Sequence, residues 1–290
     1  MNGHLIALLR PQQWLKNIFV FTPLFFDRRT ADWHYAWPCI VAFVVFCLTA
    51  SGIYCLNDIH DAAADRRHPV KRQRPVASGR VGKPAAYAMM AAVWGAASAL
   101  VVIFDLSAVA PTLLLYVVMN VAYCLKLKQI ALLDVFIIAT GFVMRIVAGA
   151  QASDIVLSPW IVVTTFLLAL FLALAKRRDD VVIYQQSGIK TRKSVEHYHL
   201  AFLNAAVPMV GGVTIVCYVL YTMSPDVVGR LGCGHLYMTS VFVVAGILRY
   251  MQLTFVSHKS GSPTKVLLHD RCLQFCVVGW IVVFAVILYR

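Results

Sequence analysis

The stretch that decides the fold runs from residue 36 to residue 65, where AWPCIVAFVVFCLTASGIYCL (36–56) leads directly into NDIHDAAAD (57–65). The first part carries no charged side chain, and its length matches the roughly 20 residues that an α-helix needs to cross a bilayer. The second part places three carboxylates at the end of the same helix. This pattern predicts a membrane-spanning helix that ends in a polar cluster at the membrane face.

The rest of the chain repeats the apolar pattern. Of its 290 residues, 60% are hydrophobic and 13% are charged, and the mean hydropathy is +0.75. These values exclude an ordinary soluble enzyme. Because lipid leaves only helices to an open chain, we predict an all-α polytopic membrane protein, with about nine transmembrane helices in one domain over residues 1–290. The predicted spans are 14–26, 36–56, 84–104, 108–125, 130–150, 159–176, 199–222, 236–256 and 272–289.

The charged residues are concentrated in the connections between spans. There are 26 Lys and Arg against 13 Asp and Glu, a net charge of +13, and most of the cations fall on the side of the N-terminus. The positive-inside rule therefore predicts a cytoplasmic N-terminus, an external C-terminus and a cytoplasmic working face. Since this topology accounts for the basic excess, we expect no nucleic-acid partner. The sequence leaves homo-oligomerisation open.

The eight cysteines are scattered, mostly inside apolar runs. None forms a CxxC pair or a Cys/His array with zinc spacing, so we expect neither a disulfide framework nor a thiolate metal site. The opening MNGHLIALLRPQQWLKN lacks the basic region, apolar core and cleavage site of a signal peptide, and we expect this segment to be retained.

The most informative motif is the acidic stretch 57–65. Asp58, Asp61 and Asp65 are spaced i, i+3 and i+7, so on a continuing helix they line one side. A divalent cation would relieve their mutual repulsion, and oxygen ligands suit Mg²⁺, which substrate phosphates usually complete. The basic residues just downstream can donate to such phosphates, and they are Lys71, Arg72 and Arg74. The pattern predicts a joint site for a metal ion and a diphosphate, and the alternative is a set of solvated charges that pair with one another.

A second charged stretch is KRRDD at 176–180, where Asp179 and Asp180 are candidates for a second metal or for ribose hydroxyls. Two further ionisable residues, Asp134 and Arg145, lie inside a predicted span and are functional candidates by default. They are about 16 Å apart along a helix and cannot pair directly. We expect Arg145 to have a structural partner elsewhere.

These motifs resemble a known family. NDxxDxxxD at the end of the second membrane helix, together with RPxxWxKN at 10–17, resembles the UbiA superfamily of intramembrane prenyltransferases. The series Lys126, Asp134, Gly141, Arg145, Ala148 and Gly149 is similar to that family's fourth-to-fifth helix region. Within the superfamily the chain resembles the decaprenyl-phosphate phosphoribosyltransferase branch, through stretches 10–24, 57–79, 172–180 and, near the C-terminus, 249–250 with 262–271. It departs from that branch at Thr264 and Lys265, where carboxylates are expected.

The resemblance implies a reaction. It predicts an Mg²⁺-dependent transferase of cell-envelope biosynthesis that moves 5-phosphoribosyl from phosphoribosyl pyrophosphate to a polyprenyl phosphate of decaprenyl type and releases diphosphate. The implied metal ligands are Asp58, Asp61 and Asp65, and the implied catalytic residues are Asp58, Asp61, Lys16 and Lys126. The implied substrate-binding residues are Asn57, Asp65, Lys71, Arg72, Arg74, Lys176, Arg177, Asp179, Asp180, Tyr198 and Tyr250.

Two other functions compete with this one. Prenyl transfer from a prenyl diphosphate to an aromatic acceptor predicts a well-spaced aspartate motif in the second inner loop, which KRRDD fits poorly. A membrane transporter predicts charged or broken helices near the midplane, often in repeated halves. Here the polar residues concentrate at the inner face, which favours the transferase.

Overall fold

The computed structural model describes residues 2–67, 71–188, 193–257 and 263–289. Across these ranges the chain is helical, which confirms the all-α prediction. Residues 68–70, 189–192 and 258–262 lie outside the described residues, and with them Lys259 and the start of the 262–271 stretch. The α-helices are α1 (Asn2–Leu9), α2 (Thr22–Phe26), α3 (Trp33–Asp65), α4 (Lys83–Ile103), α5 (Ala110–Leu125), α6 (Leu133–Ala152), α7 (Pro159–Ser187), α8 (Leu200–Met223), α9 (Pro225–Leu231), α10 (Ser240–Phe255), α11 (Pro263–His269) and α12 (Arg271–Tyr289).

Within the described ranges, eight segments are long and apolar enough to cross a membrane. They correspond to eight of the predicted spans. The first predicted span, 14–26, is instead divided between a 3-10 helix, Pro11–Phe21, and the short helix α2. Arg10 precedes this segment in a left-handed conformation, with φ 53°. Asn17 and Val20 are buried on the protein side, so the segment packs against other helices.

Helix α3 is the longest element, with 33 residues. The Asp32 carboxylate accepts a hydrogen bond from the His34 backbone amide, 3.0 Å away, and so caps its start. At 1.5 Å per residue, α3 is about 50 Å long and exceeds the roughly 30 Å of the hydrocarbon core. Its last turns, which carry Asp58 and Asp65, therefore continue the helix beyond the apolar span, as the sequence predicts.

The described residues form two compact units. The first consists of residues 1–128 and 141–157, and the second of residues 129–140 and 158–290. The single domain expected from the sequence stays a prediction.

In the first unit, α3 packs against α1, α4, α5 and the 3-10 helix Pro11–Phe21. Two glycines allow close approach. A Cβ at Gly52 would overlap the Trp94 ring, and a Cβ at Gly149 would overlap the Val20 carbonyl oxygen. The N-terminal segment is therefore seated directly on the α6 backbone.

The first unit also contains Arg145, which is only 5% exposed. Its guanidinium donates to the Asn17 side-chain oxygen at 2.8 Å, to the Gly141 carbonyl at 2.6 Å and to the Tyr116 hydroxyl at 3.0 Å. It also lies 5.3 Å from the Phe46 ring centroid. These contacts confirm the expected structural partner, and they offset the cost of burying a cation inside a span.

In the second unit, α7 packs along α8, and α10 packs against α7, α8 and α12. Helix α7 extends past the predicted end of its span at residue 176 and stops at Ser187, where Gly188 adopts a left-handed conformation. The charged residues after 176 continue the helix because Arg177, Arg178 and Asp179 are buried among partners.

Candidate active site

The end of α3 carries the first group of charged side chains, which we call the Asp58 cluster: Arg10, Asp58, Asp61, Asp65, Arg74 and Lys128. Asp58 is buried, and Arg10 binds its Oδ1 atom. The Arg74 guanidinium lies 3.6 Å from the same oxygen and 2.7 Å from Asp65 Oδ2. Because Arg74 bridges Asp58 and Asp65, these two carboxylates lie on one side of α3.

Asp61 is the more accessible carboxylate of this cluster. Its Oδ1 atom lies 2.6 Å from Lys128 Nζ and 3.1 Å from His60 Nδ1. Lys128 comes from a short 3-10 helix, Leu127–Gln129, that follows α5. Each of the three aspartates of α3 is thus held by a basic side chain.

The other predicted site residues of the first unit are Asn57, Lys16, Lys71, Arg72 and Lys126. Asn57 is half-buried on α3, and Lys16 is half-buried on the 3-10 helix Pro11–Phe21. Lys71 and Arg72 lie in a 3-10 turn, Lys71–Gln73, and Arg72 is exposed. Lys126 is exposed at the end of α5.

The second unit contains a different arrangement, which we call the Asp134 cluster: Asp134, Arg177, Asp180, Ser194 and Tyr198. Asp134 is fully buried. Its Oδ2 atom accepts from Arg177 Nε at 2.6 Å and from Ser194 Oγ at 3.4 Å, and its Oδ1 atom accepts from the Tyr198 hydroxyl at 2.7 Å. Arg177 Nη1 continues to Asp180 Oδ2 at 2.8 Å.

The phenol of Tyr198 is protonated under ordinary conditions. Burial raises its pKa well above the usual value, and the hydrogen bond to the Asp134 carboxylate raises this pKa further. Its oxygen also accepts a hydrogen bond from the Leu132 backbone amide at 2.8 Å. Tyr198 therefore links the segment before α6 to the Asp134 carboxylate.

The remaining predicted residues of the second unit lie near α7. Arg178 donates to the Thr254 carbonyl at 2.7 Å and to the Asn204 side chain at 2.9 Å, and it lies 4.0 Å from Asp179. Tyr250 is buried edge-on against Phe171. Lys176 is half-buried on α7. Arg178 thereby joins α7 to α8 and α10.

Comparison with known proteins gives the family. The model of the UbiA prenyltransferase family matches residues 19–285. The chain belongs to the UbiA prenyltransferase family. The resemblance seen in the sequence motifs is thereby confirmed.

Among curated UbiA relatives, a decaprenyl-phosphate phosphoribosyltransferase of Mycolicibacterium smegmatis is 36% identical over 96% of this chain and 90% of its own. One of Corynebacterium glutamicum is 33% identical over 96% of this chain and 84% of its own. One of Mycobacterium tuberculosis is 32% identical over 95% of this chain and 91% of its own. All three are transferases by name.

A solved UbiA structure shows the same fold. A UbiA homolog from Archaeoglobus fulgidus bound to GPP and Mg²⁺ superposes with a TM-score of 0.71 over 99% of this chain and 100% of its own, at 16% identity. That identity supports the UbiA fold and no more. The Mg²⁺ belongs to that homolog.

The residues of the Asp58 cluster fit Mg²⁺ by their chemistry. Asp58 Oδ2 is a buried acceptor that has no hydrogen-bond partner within the part of the chain that the structure describes. Across the same ranges, no three His, Cys, Asp or Glu side chains converge as metal ligands. The oxygen donors are thus present, and each of the three carboxylates is paired with a basic side chain.

The sequence did not predict the places of Arg10 and Lys128 in the Asp58 cluster, nor the contact between Asp134 and Arg177. Arg10 opens the RPxxWxKN motif, yet only the structure brings it to Asp58. Lys128, rather than the motif residue Lys126, binds Asp61. Asp134 stood out as an intramembrane charge, but its link to Arg177 depends on packing between α6 and α7.

Proposed function

We propose that this protein transfers the 5-phosphoribosyl group from phosphoribosyl pyrophosphate to a polyprenyl phosphate of decaprenyl type and releases diphosphate. The observation that carries the proposal is the full-length similarity to three transferases of that name, at 32–36% identity. The composition of the Asp58 cluster supports it, because paired carboxylates and cations suit a metal-bound diphosphate.

The Asp58 cluster is suited to exchange its partners. Arg10, Arg74 and Lys128 neutralise the carboxylates of α3. These cations are also the groups that would bind the phosphates of the sugar donor, together with Lys71 and Arg72. Arrival of the donor therefore gives the cations new anionic partners and frees the aspartates.

The freed carboxylates would hold Mg²⁺, with Asp58 and Asp61 as principal ligands and Asp65 in support, and Asn57 would orient the donor. Bound there, the ion would supply positive charge for the departing diphosphate. Lys16 and Lys126 would add charge for phosphate groups, as the family resemblance implies.

The reaction itself exchanges one bond for another at C1 of the ribose. An oxygen of the polyprenyl phosphate forms the new C1–O bond while the C1–O bond to diphosphate breaks, and the electron pair leaves with the diphosphate. A phosphate monoester is already ionised near neutral pH, so the acceptor needs no general base. The protein's task is to position two anions and to stabilise the leaving group.

The location follows from the same proposal. A lipid acceptor requires a membrane, and the eight apolar helices found among the described residues make this an integral membrane protein. We assign it to the bacterial inner membrane with a cytoplasmic N-terminus, an external C-terminus and a cytoplasmic active site, because the Lys and Arg residues favour that orientation.

The test is a transfer assay on the purified full-length protein in detergent. Phosphoribosyl pyrophosphate and Mg²⁺ are supplied with and without a polyprenyl phosphate, and diphosphate release and the mass of the lipid are measured. We expect lipid-dependent release and a lipid heavier by one phosphoribosyl group. Consumption of a prenyl diphosphate with an aromatic acceptor, and none of the sugar donor, would replace this proposal with the aromatic prenyltransferase.

The variants Asp58→Asn and Asp61→Asn test the role of the Asp58 cluster. We expect each to lower turnover by about a thousandfold or more, since removing a principal charge-stabilising group costs several kcal/mol in the transition state. Asp27→Asn is the matched control, because Asp27 lies at the end of α2, outside the Asp58 cluster, and its carboxylate pairs with the nearby Arg29. Full activity in both α3 variants would overturn the assignment.

A further inference from the structure

The N-terminal segment runs antiparallel to α3. Three of its side chains meet three residues of that helix in reverse order, and the pairs are Arg10 with Asp58, Trp14 with Ser51, and Asn17 with Cys47. All of these residues belong to the first unit. The place of Arg10 in the Asp58 cluster therefore depends on how this segment is held against α3.

Arg10 has a backbone conformation that its neighbours must maintain. Helix α1 ends at Leu9, and a 3-10 helix begins at Pro11. Between them Arg10 has φ 53° and ψ 60°, in the left-handed region that residues other than glycine rarely adopt. Such a conformation costs free energy and persists only where surrounding contacts fix it. The contacts on either side of Arg10 therefore decide where its side chain points.

The hydroxyl of Ser51 makes contacts on both sides of Arg10. It accepts a hydrogen bond from Trp14 Nε1 at 3.0 Å. It donates to the Leu9 carbonyl at 3.0 Å and to the Cys47 carbonyl at 2.8 Å, and these two oxygens share its one proton. The last carbonyls of a helix have no partner within that helix, so Ser51 satisfies such a group at the end of α1. Ser51 is fully buried, and its loss would leave these groups inside the protein.

Ser51 and Asp58 lie on the same side of α3. Seven residues make two helical turns, so the two side chains are about 10 Å apart along the axis. The Arg10 guanidinium binds Asp58 and lies 5.1 Å from the centroid of the Tyr54 ring, which comes between Ser51 and Asp58 in the sequence. Ser51 thus holds the backbone around Arg10, while Tyr54 and Asp58 contact its charged end.

We infer that Ser51 is a positioning residue: it fixes the backbone on both sides of Arg10, so that the Arg10 guanidinium reaches Asp58 and binds the diphosphate of the sugar donor. The role toward the donor rests on the proposed function. The placement of Arg10 at Asp58 concerns only contacts within the first unit.

The kinetic test measures the KM for phosphoribosyl pyrophosphate in the transfer assay. Loss of a hydrogen bond to a charged group weakens binding by about 10-fold or more, and we expect Arg10→Gln to raise this KM by about that factor. Ser51→Ala acts through Arg10, so we expect a rise of about three- to tenfold, with kcat within about twofold. Added to Arg10→Gln, Ser51→Ala should raise the KM no further. An equal rise with and without Arg10 would overturn the positioning role.

Ser153→Ala is the matched control. Ser153 is also a buried serine of the first unit, and its hydroxyl also donates to the carbonyl four residues earlier, that of Gly149, at 2.8 Å. The same carbonyl accepts from Cys39 Sγ, and Cys39 and Asp58 are about 28 Å apart along α3. A merely structural role for Ser51 would give both serine variants a lower melting temperature and an unchanged KM. That result would also overturn the inference.

A second measurement does not depend on the substrate. The melting temperatures of Ser51→Ala, Arg10→Gln and the double variant form a thermodynamic cycle. We expect the double variant to lose less than the sum of the single losses, because the loss of Ser51 already weakens the contact between Arg10 and Asp58. Ser153→Ala combined with Arg10→Gln should be additive. Strict additivity in the Ser51 cycle as well would contradict the placement of Arg10 by Ser51.

A milder variant keeps both measurements possible if Ser51→Ala does not fold. Trp14→Phe retains an aromatic ring and removes only the Nε1 donor to Ser51, and we expect the same directions of change. If the wild type fails to use the sugar donor, the role of Arg10 toward the diphosphate falls with the proposed function. The thermodynamic cycle then still decides whether Ser51 places Arg10 at Asp58.

Discussion

The Asp58 and Asp134 clusters use the same side-chain types in opposite ways. In the Asp58 cluster the basic partners keep some contact with solvent, from 15% exposed for Lys128 to 25% for Arg74. In the Asp134 cluster, Asp134 and Arg177 are at most 1% exposed. Accessible ion pairs are worth little and exchange readily, whereas breaking a buried pair leaves a charge that nothing compensates. The comparison separates the Asp58 cluster, our proposed ligand site, from a buried pair, Asp134 and Arg177, that holds its shape.

The largest expected effect comes from breaking the buried pair. Arg177→Ala leaves the Asp134 carboxylate inside the protein, and we expect it to destabilise the fold by about 3–5 kcal/mol. Lys128→Ala breaks an accessible pair and should cost about 1 kcal/mol or less. Thermal unfolding of both variants in the same detergent compares them, and equal losses would erase the distinction between the clusters.

The second-largest expected effect comes from disturbing the packing of the N-terminal segment, which carries Arg10 of the Asp58 cluster. Gly149→Ala pushes a methyl group into the Val20 backbone, which belongs to the N-terminal segment that carries Arg10. Overpacking of this kind costs about 1–3 kcal/mol. Gly95→Ala is the control, since a Cβ there meets nothing within 4 Å. If thermal unfolding finds the two variants equally stable, the close approach of Val20 to α6 is wrong.

The third prediction has a smaller expected effect. It tests whether basic side chains compete with a metal ion for the carboxylates of α3. Lys128→Gln removes a charge beside Asp61, and we expect it to tighten Mn²⁺ binding about fivefold in the absence of substrate. Electron paramagnetic resonance counts the free Mn²⁺ directly. Lys83→Gln, an exposed lysine at the start of α4, should leave binding unchanged. Weaker binding in Lys128→Gln would show that this lysine supports the ion instead.

The smallest effect concerns a third, half-buried ion pair, between Arg249 and Asp270. The hydrogen bond from Arg249 lowers the pKa of Asp270 below its ordinary value. A lowered folded-state pKa contributes stability above the unfolded pKa of about 3.9, and this contribution disappears as the pH falls through the folded value.

Asp270→Asn should therefore flatten the fall in melting temperature between about pH 5 and pH 3. Asparagine preserves the cap on α12, where Asp270 accepts from the Leu273 amide at 2.9 Å. Arg249→Gln should flatten the curve by a similar amount, and high salt should reduce the difference. An unchanged acid slope in both variants would contradict the pairing.

Particular residues show how far the sequence predicts the site. The spacing of Asp58 and Asp65 predicted a shared side of one helix, and Arg74 bridges them. Asp61 and Lys128 are 67 positions apart in the chain, and no periodicity connects them. The KRRDD stretch looked like a loop after a span, but burial of its arginines keeps it in α7.

The sequence by itself determined the class of fold, the family and eight of the nine spans that it predicted, the exception being 14–26. These properties depend on local composition and helical spacing, because a bilayer demands long apolar helices whatever their neighbours are. Only the tertiary structure decided which cation meets which carboxylate, and that Arg145 is satisfied by Asn17 and Tyr116. Such pairings depend on how helices distant in sequence pack together. The residue pattern along a single helix does not specify which helices pack against it.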